Sequence, residues 1–159
     1  MDYLLSAADI KILIASKQGI HYFAQSQNFY LDATYRLIDL GHPVLVLGIT
    51  DLQNKFILLA LAVVTHEDFE TYKWCTEKLI GEANLLGLCI MPKTIISDSA
   101  PQLTALANFS SIITKRTHCW AHVLRNIEIN LKGISSEFKN GILNDIRVIQ
   151  SAFTNELFN

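Results

Sequence analysis

Two uninterrupted apolar runs, Val44–Ile49 (VLVLGI) and Phe56–Thr65 (FILLALAVVT), flank a short polar turn at Asp51–Lys55 (DLQNK). Runs of this length, bounded by turn residues, predict buried strands. Ahead of them Phe29–Arg36 (FYLDATYR) is rich in aromatic and β-favouring residues and ends before Gly41-His42-Pro43. Three strands joined by short turns predict an antiparallel meander. Further upstream, Lys11–Ala15 (KILIA) is ambiguous between strand and coil, and Gly19–Gln25 reads as a short helix.

After residue 65 the period changes. Thr65-His66-Glu67-Asp68 offers a helix start with acids in its first turn, where the helix dipole favours them. Phe69, Tyr72, Leu79, Ala83 and Leu86 follow at mostly helical spacing, and Gly87 predicts the stop. Pro92 precedes a short strand at Lys93–Ser97. Asp98-Ser99-Ala100-Pro101 predicts the next helix, with Ser99 as its cap and Pro101 in its first turn. That helix runs to about Asn108, a strand follows at Ser111–Thr114, and the pattern is helical from His118 onward. A break near Lys132–Ser136 separates a last helix reaching about Phe153.

Strands first, then strands alternating with helices, predict an α/β fold: a mixed sheet of three antiparallel strands, then βαβ crossovers, with flanking helices. A right-handed crossover brings the fourth core strand in parallel to the first. The chain divides into a lead-in segment (1–26), a core (27–132) and a C-terminal helical segment (133–159).

Composition narrows the function classes. Half of the 159 residues are apolar, enough for one sizeable core. The formal charge of −2 gives no global sign of nucleic-acid binding. Locally, residues 115–147 carry six bases against three acids, so a DNA-facing surface is expected in the C-terminal third. Three cysteines at irregular spacing argue against a disulfide scaffold. Asp2 and the absence of a basic start make a poor signal peptide. The longest apolar run is far short of the roughly 18 residues a membrane span needs. The expected location is intracellular, with no membrane.

Two aspartates carry the candidate chemistry. Asp32 lies inside the first core strand, and Asp98 ends the fourth. An aspartate before a helix is by itself an ordinary capping residue. Asp32, among Phe29, Leu31 and Ala33, is harder to explain, because aspartate is depleted in strands and costly to bury. If the strands are neighbours, about 4.8 Å apart, the two carboxylates repel unless a cation sits between them. A hard divalent ion suits that donor set. Cys119-Trp120-Ala121-His122 is the second constellation. Cys119 and His122 stand i,i+3 and share a helix face, but two ligands, or three with His118, fall short of a four-ligand zinc site. Core packing of Cys119 and Trp120 is the plainer account, and Arg125 on the next turn is either solvated or phosphate-facing.

With these residues the chain resembles the transposase domain of Mutator-like elements (MULE transposases), of the DDE type. The first block of that family reads here Asp32-Ala33-Thr34-Tyr35-Arg36, with Ala33 where glycine is commoner. Lys11–Gln25 is similar to the segment leading into it. Glu70-Thr71-Tyr72 and Trp74 resemble the helix after the third strand. Asp98 in Ile95-Ile96-Ser97-Asp98 matches the second acid, and Cys119-x-x-His122 with Val123–Asn126 matches the downstream block. The resemblance covers roughly residues 10–130.

It implies an RNase H-like core, Mg²⁺ or Mn²⁺ held by Asp32 and Asp98 as catalytic residues, and DNA strand cleavage and transfer. The implied partner is DNA, both transposon ends and target, with a homo-oligomer in the intact transposase and a nuclear location. Cys119, His122 and Arg125 become supporting or DNA-contacting residues. The family's third acid is a glutamate beyond the Cys-x-x-His block. Glu128, Glu137 and Glu156 are the downstream glutamates, and none has the expected setting. The chain is therefore expected to stop before or within the helical insertion that precedes that glutamate. A non-catalytic remnant, or a DNA-binding or interaction module, is the alternative. An unrelated phosphohydrolase is weaker, because that chemistry wants a second acid where Thr34 stands.

Overall fold

The computed structural model describes residues 9–38, 41–51, 53, 55–90, 92–109, 113 and 115–151. Its elements are β1 (Lys11–Ala15), α1 (Lys17–Gln25), β2 (Asn28–Thr34), β3 (Val44–Thr50), β4 (Phe56–Val64), α2 (Phe69–Leu85), β5 (Thr94–Ser97), α3 (Pro101–Phe109), β6 (Lys115–His118), α4 (Trp120–Asn130) and α5 (Ser136–Ser151). They form two compact units, divided between His118 and Cys119.

The first unit holds one six-stranded sheet in the order β1-β4-β3-β2-β5-β6. β2, β3 and β4 pair antiparallel, as the meander predicts, and β1 extends the sheet antiparallel to β4. β5 enters parallel to β2, and β6 parallel to β5. The architecture is a mixed α/β sheet, compatible with an RNase H-like fold.

Side-chain alternation decides which face is buried. Phe29 and Leu31 of β2, Leu45 and Leu47 of β3, and Ala60 and Ala62 of β4 are at most 2 % exposed. They join one cluster with Phe23 of α1, Tyr72, Cys75 and Leu79 of α2, and Leu103 of α3. Full burial of each large apolar side chain contributes roughly 1.5–3 kcal/mol. On α2 the buried positions Tyr72, Cys75, Thr76, Leu79 and Ala83 recur every three to four residues, which gives the helix one inward stripe. Asp68 caps α2, its Oδ1 accepting from the Thr71 amide at 2.8 Å. Burial pushes the Asp68 carboxyl up, but the Thr71 amide and the charges of Lys11 and His66 lower it on balance.

Two close approaches shape the sheet. Gly19 lets α1 sit against β4, since a Cβ there would stand 2.9 Å from the Leu59 carbonyl oxygen. Gly48 lies where the β3–β4 register shifts, and the Phe56 ring occupies the space its Cβ would need.

One reading of the pattern is corrected, and another lies mostly outside the described residues. The strand expected at residues 111–114 falls mostly outside the described residues. There Ile113 is a buried residue outside any strand, and the sixth strand is the polar Lys115–His118. It is an edge strand with no buried residue, so it has no apolar signature to read. Ser99 does not cap α3. The turn is closed instead by Asp98, whose Oδ1 accepts from the Ala100 amide at 3.0 Å, while Ser99 Oγ lies 3.3 Å from His118 Nδ1.

The second unit contains α4 and α5. Cys119 stands at the N-cap of α4 without a side-chain cap bond, and its carbonyl accepts from the Val123 amide at 3.1 Å. α5 carries Phe138, Ile142, Val148 and Ile149 exposed. Among the described residues no helix is long and apolar enough to cross a membrane.

Candidate functional site

The crossover from β4 through α2 carries the chain to the end of the sheet opposite the one where β4 finishes, so β5 enters beside β2 and runs in the same direction. The last paired residues are Leu31 and Ser97. Asp32 and Asp98 are the next residue of each, so they leave adjacent backbones at the same level, about 4.8 Å apart by ordinary strand spacing. Leu31 and Ser97 are 1 % exposed, whereas both aspartates are half-buried. Alternation thus buries one residue and turns the next toward the opposite face.

Each carboxylate is steadied by the local backbone. Asp32 Oδ1 accepts from the Ala33 amide at 2.9 Å, and Asp98 Oδ1 from the Ala100 amide at 3.0 Å. A longer arm holds the Asp98 turn. Arg116, on β6, donates through its Nη2 to the Asp98 carbonyl oxygen, through Nε to Ser97 Oγ at 3.2 Å, and through Nη1 to Thr104 Oγ1 at 2.6 Å. Arg116 was counted among the bases of a DNA-facing stretch; its guanidinium is bonded inside the fold.

On the other side of the pair stands a cluster that local pattern does not announce. Glu67, between β4 and α2, accepts from three side chains. Its Oε2 takes the Tyr35 hydroxyl, and its Oε1 takes the Tyr72 hydroxyl at 2.7 Å and Gln102 Nε2 at 3.1 Å. Tyr35 lies just past β2, where the chain turns through a left-handed Arg36 (φ 61°). The bond to Glu67 pushes the Tyr35 hydroxyl up to about 12, with burial and the charges of Glu67 and Asp98 adding to it. Tyr72 is raised chiefly by burial, then by its bond to Glu67, and the charge of Asp98 contributes again. Asp98 is therefore within electrostatic reach of both rings. The only sequence signal for Glu67 was its place in a helix start, which explains it as a dipole partner and conceals the rest.

The remaining candidates separate. Cys119, His122 and Arg125 belong to the second unit, with His122 and Arg125 on α4 and Arg125 exposed. Glu128 lies on α4, Glu137 in the first turn of α5, and Glu156 outside the described residues. Cys75 is fully buried, and burial pushes its thiol up to about 12, so it is a packing residue rather than a thiolate ligand. His118, by contrast, ends β6 opposite Ser97, at the carboxylate end of the sheet. Among the described residues no third His, Cys, Asp or Glu joins the two aspartates in a metal-sized group.

The family model of the MULE transposase domain matches residues 28–126. That span begins with β2 and ends within α4, and it takes in both aspartates and the Cys119-x-x-His122 block. A comparison with curated proteins finds no match.

Proposed function

This chain belongs to the MULE transposase domain family, and from that premise we propose that its core is RNase H-like and built for cleavage and transfer of DNA strands. The family implies a DNA substrate and generally a divalent metal. In our reading Asp32 and Asp98 are the carboxylates that hold Mg²⁺ or Mn²⁺, and the DNA is transposon ends and target, handled in the nucleus by a homo-oligomer.

One observation carries the assignment: the parallel register that ends at Leu31 and Ser97 and releases an aspartate from each strand at one level. The donor set fits the cation. Two half-buried carboxylates, each with one oxygen oriented by a backbone amide, are hard oxygen donors of the kind Mg²⁺ takes together with water. When bound, such an ion lowers the pKa of an attacking hydroxyl and stabilises charge on the leaving oxygen. The chain's own part is positional. Asp32 is held by the centre of the sheet, Asp98 by its turn and by Arg116. The carboxylate end of parallel strands is also where open α/β sheets place their ligands. Cys119, His122 and Arg125 are proposed as supporting or DNA-contacting residues, and a further glutamate is proposed to complete the carboxylate set.

The test is Mn²⁺ calorimetry on the chain beside Asp32→Asn and Asp98→Asn. Heat in the parent that both substitutions abolish supports a shared site. A folded parent that takes up no Mn²⁺ leaves the alternative, a non-catalytic DNA-binding or interaction module.

A further inference from the structure

We propose that the outer edge of β1 pairs antiparallel with β1 of a second copy of this chain, joining two six-stranded sheets into one. The proposal gives the homo-oligomer of the reading above a place on the chain. It rests on the sheet edge, not on the two aspartates.

The sheet ends on β1 at one side and on β6 at the other. β6 is four residues long and exposes Lys115, which guards an edge against pairing. β1 exposes Ile12 and Ile14 instead, at 52 % and 61 %. Backbone alternation fixes which groups face outward. The Thr65 amide donates to the Ile10 carbonyl at 2.9 Å, so Ile10, Ile12 and Ile14 turn their backbone groups toward β4. Lys11, Leu13 and Ala15 turn theirs the other way, where no described segment pairs with them.

The strand is self-complementary about Leu13. With Leu13 opposite Leu13 of the second copy, Lys11 meets Ala15 and Ile12 meets Ile14, so every residue of β1 is paired. Just beyond the strand, Asp9 stands level with Lys17 of the second copy, and opposite charges face each other. A slip of two residues one way sets Lys11 against Lys17, and the other way parts Asp9 from Lys17. Apolar surface is covered on both faces. Ile12 and Ile14 pair on one, while on the other Leu13 and Ala15 border a groove with Trp74 and Leu86, which Leu13 of the second copy would cover. The pairing is two-fold, so each copy uses its one open edge and assembly stops at a dimer.

Sedimentation equilibrium on the full chain tests this, beside Ala15→Pro, Ile14→Lys, and Ile14→Lys combined with Ile12→Glu. Proline at position 15 removes an amide that only the second copy would use, and an edge strand tolerates it there. Circular dichroism checks that each variant folds. The parent should dimerise reversibly, and each single substitution should weaken the dimer about ten-fold or more. The double variant should recover, because its two new charges face each other across the pair in this register. A parent that stays monomeric overturns the proposal. So does a dimer that either single substitution leaves intact, or that the double variant fails to restore. Amide hydrogen exchange in the parent gives a second reading. The Leu13 and Ala15 amides should lose protection on dilution, while those of Ile12 and Ile14 keep it. Equal exchange of Leu13 and Ala15 at high and low concentration overturns the proposal. A dimer of this kind that takes up no Mn²⁺ removes the metal assignment and keeps the interface, whereas Mn²⁺ uptake by a strictly monomeric chain does the reverse.

Discussion

Arg116 reaches across from β6 and donates to the backbone carbonyl of Asp98, not to its carboxylate. The cation therefore fixes where the aspartate leaves the sheet without neutralising the group it presents. A guanidinium suits the task because its planar fork serves three acceptors at once: the Asp98 carbonyl, Ser97 Oγ and Thr104 Oγ1.

Replacing Arg116 with Ala should cost about 2 kcal/mol in urea unfolding, the order expected for losing hydrogen bonds to a charged donor. Arg116→Lys should recover only a minor part, because an ammonium cannot span the three acceptors. Equal stability of the Lys variant and the parent would show that charge, not geometry, holds the turn.

Asp68 should contribute about 1 kcal/mol as the cap of α2, lost in Asp68→Ala. Its carboxyl is lowered in the fold, so its ionised form is the one the fold favours. That contribution is fully present above the unfolded value near 4 and disappears as pH falls through the lower folded value. The stability gap between parent and Asp68→Ala, followed by denaturant unfolding from pH 7 to pH 2, should narrow below pH 4. Asp68→Asn should keep most of the cap and lose the acid dependence.

Gly48→Ala should destabilise the sheet by about 1–3 kcal/mol, the usual cost of forcing a methyl into packed space. The added Cβ would meet the Phe56 ring and also the Ile57 carbonyl oxygen, 2.9 Å away. Phe56→Leu in the Gly48→Ala background should recover the ring's share and leave the backbone's share. Full recovery in thermal or urea unfolding would assign the whole clash to the ring.

Much of the first unit was legible in the chain. Val44–Ile49 and Phe56–Thr65 differ from β3 and β4 by one residue at one end each, and Phe29–Arg36 overlaps β2, which ends two residues sooner. Asp68 and Gly87 mark the limits of α2 as cap and turn residues should. These signals are local, because alternation, caps and stops are set by residues within a turn or two of one another. The parallel entry of β5 beside β2 followed from handedness, a rule that needs only element order. Family membership was legible as well, since four short blocks in order lie within the matched span.

What the sequence could not convey is which residues meet across that order. β6 carries no apolar periodicity, because an edge strand with no buried residue has no core contacts to encode. Ser99 and Asp98 are both good caps by type, and only the backbone path decided that Asp98 closes the turn. Arg116 reads as one of several bases until the sheet places it over residues 18 and 19 positions earlier. Glu67 reads as a dipole partner until folding brings Tyr35, 32 positions away, and Gln102, 35 positions away, onto its two oxygens. The chain by itself determined most of the elements and their order, because those depend on short-range pattern. The tertiary structure decided the surroundings of the aspartates, because hydrogen bonds between distant segments form only once the sheet has fixed their separation.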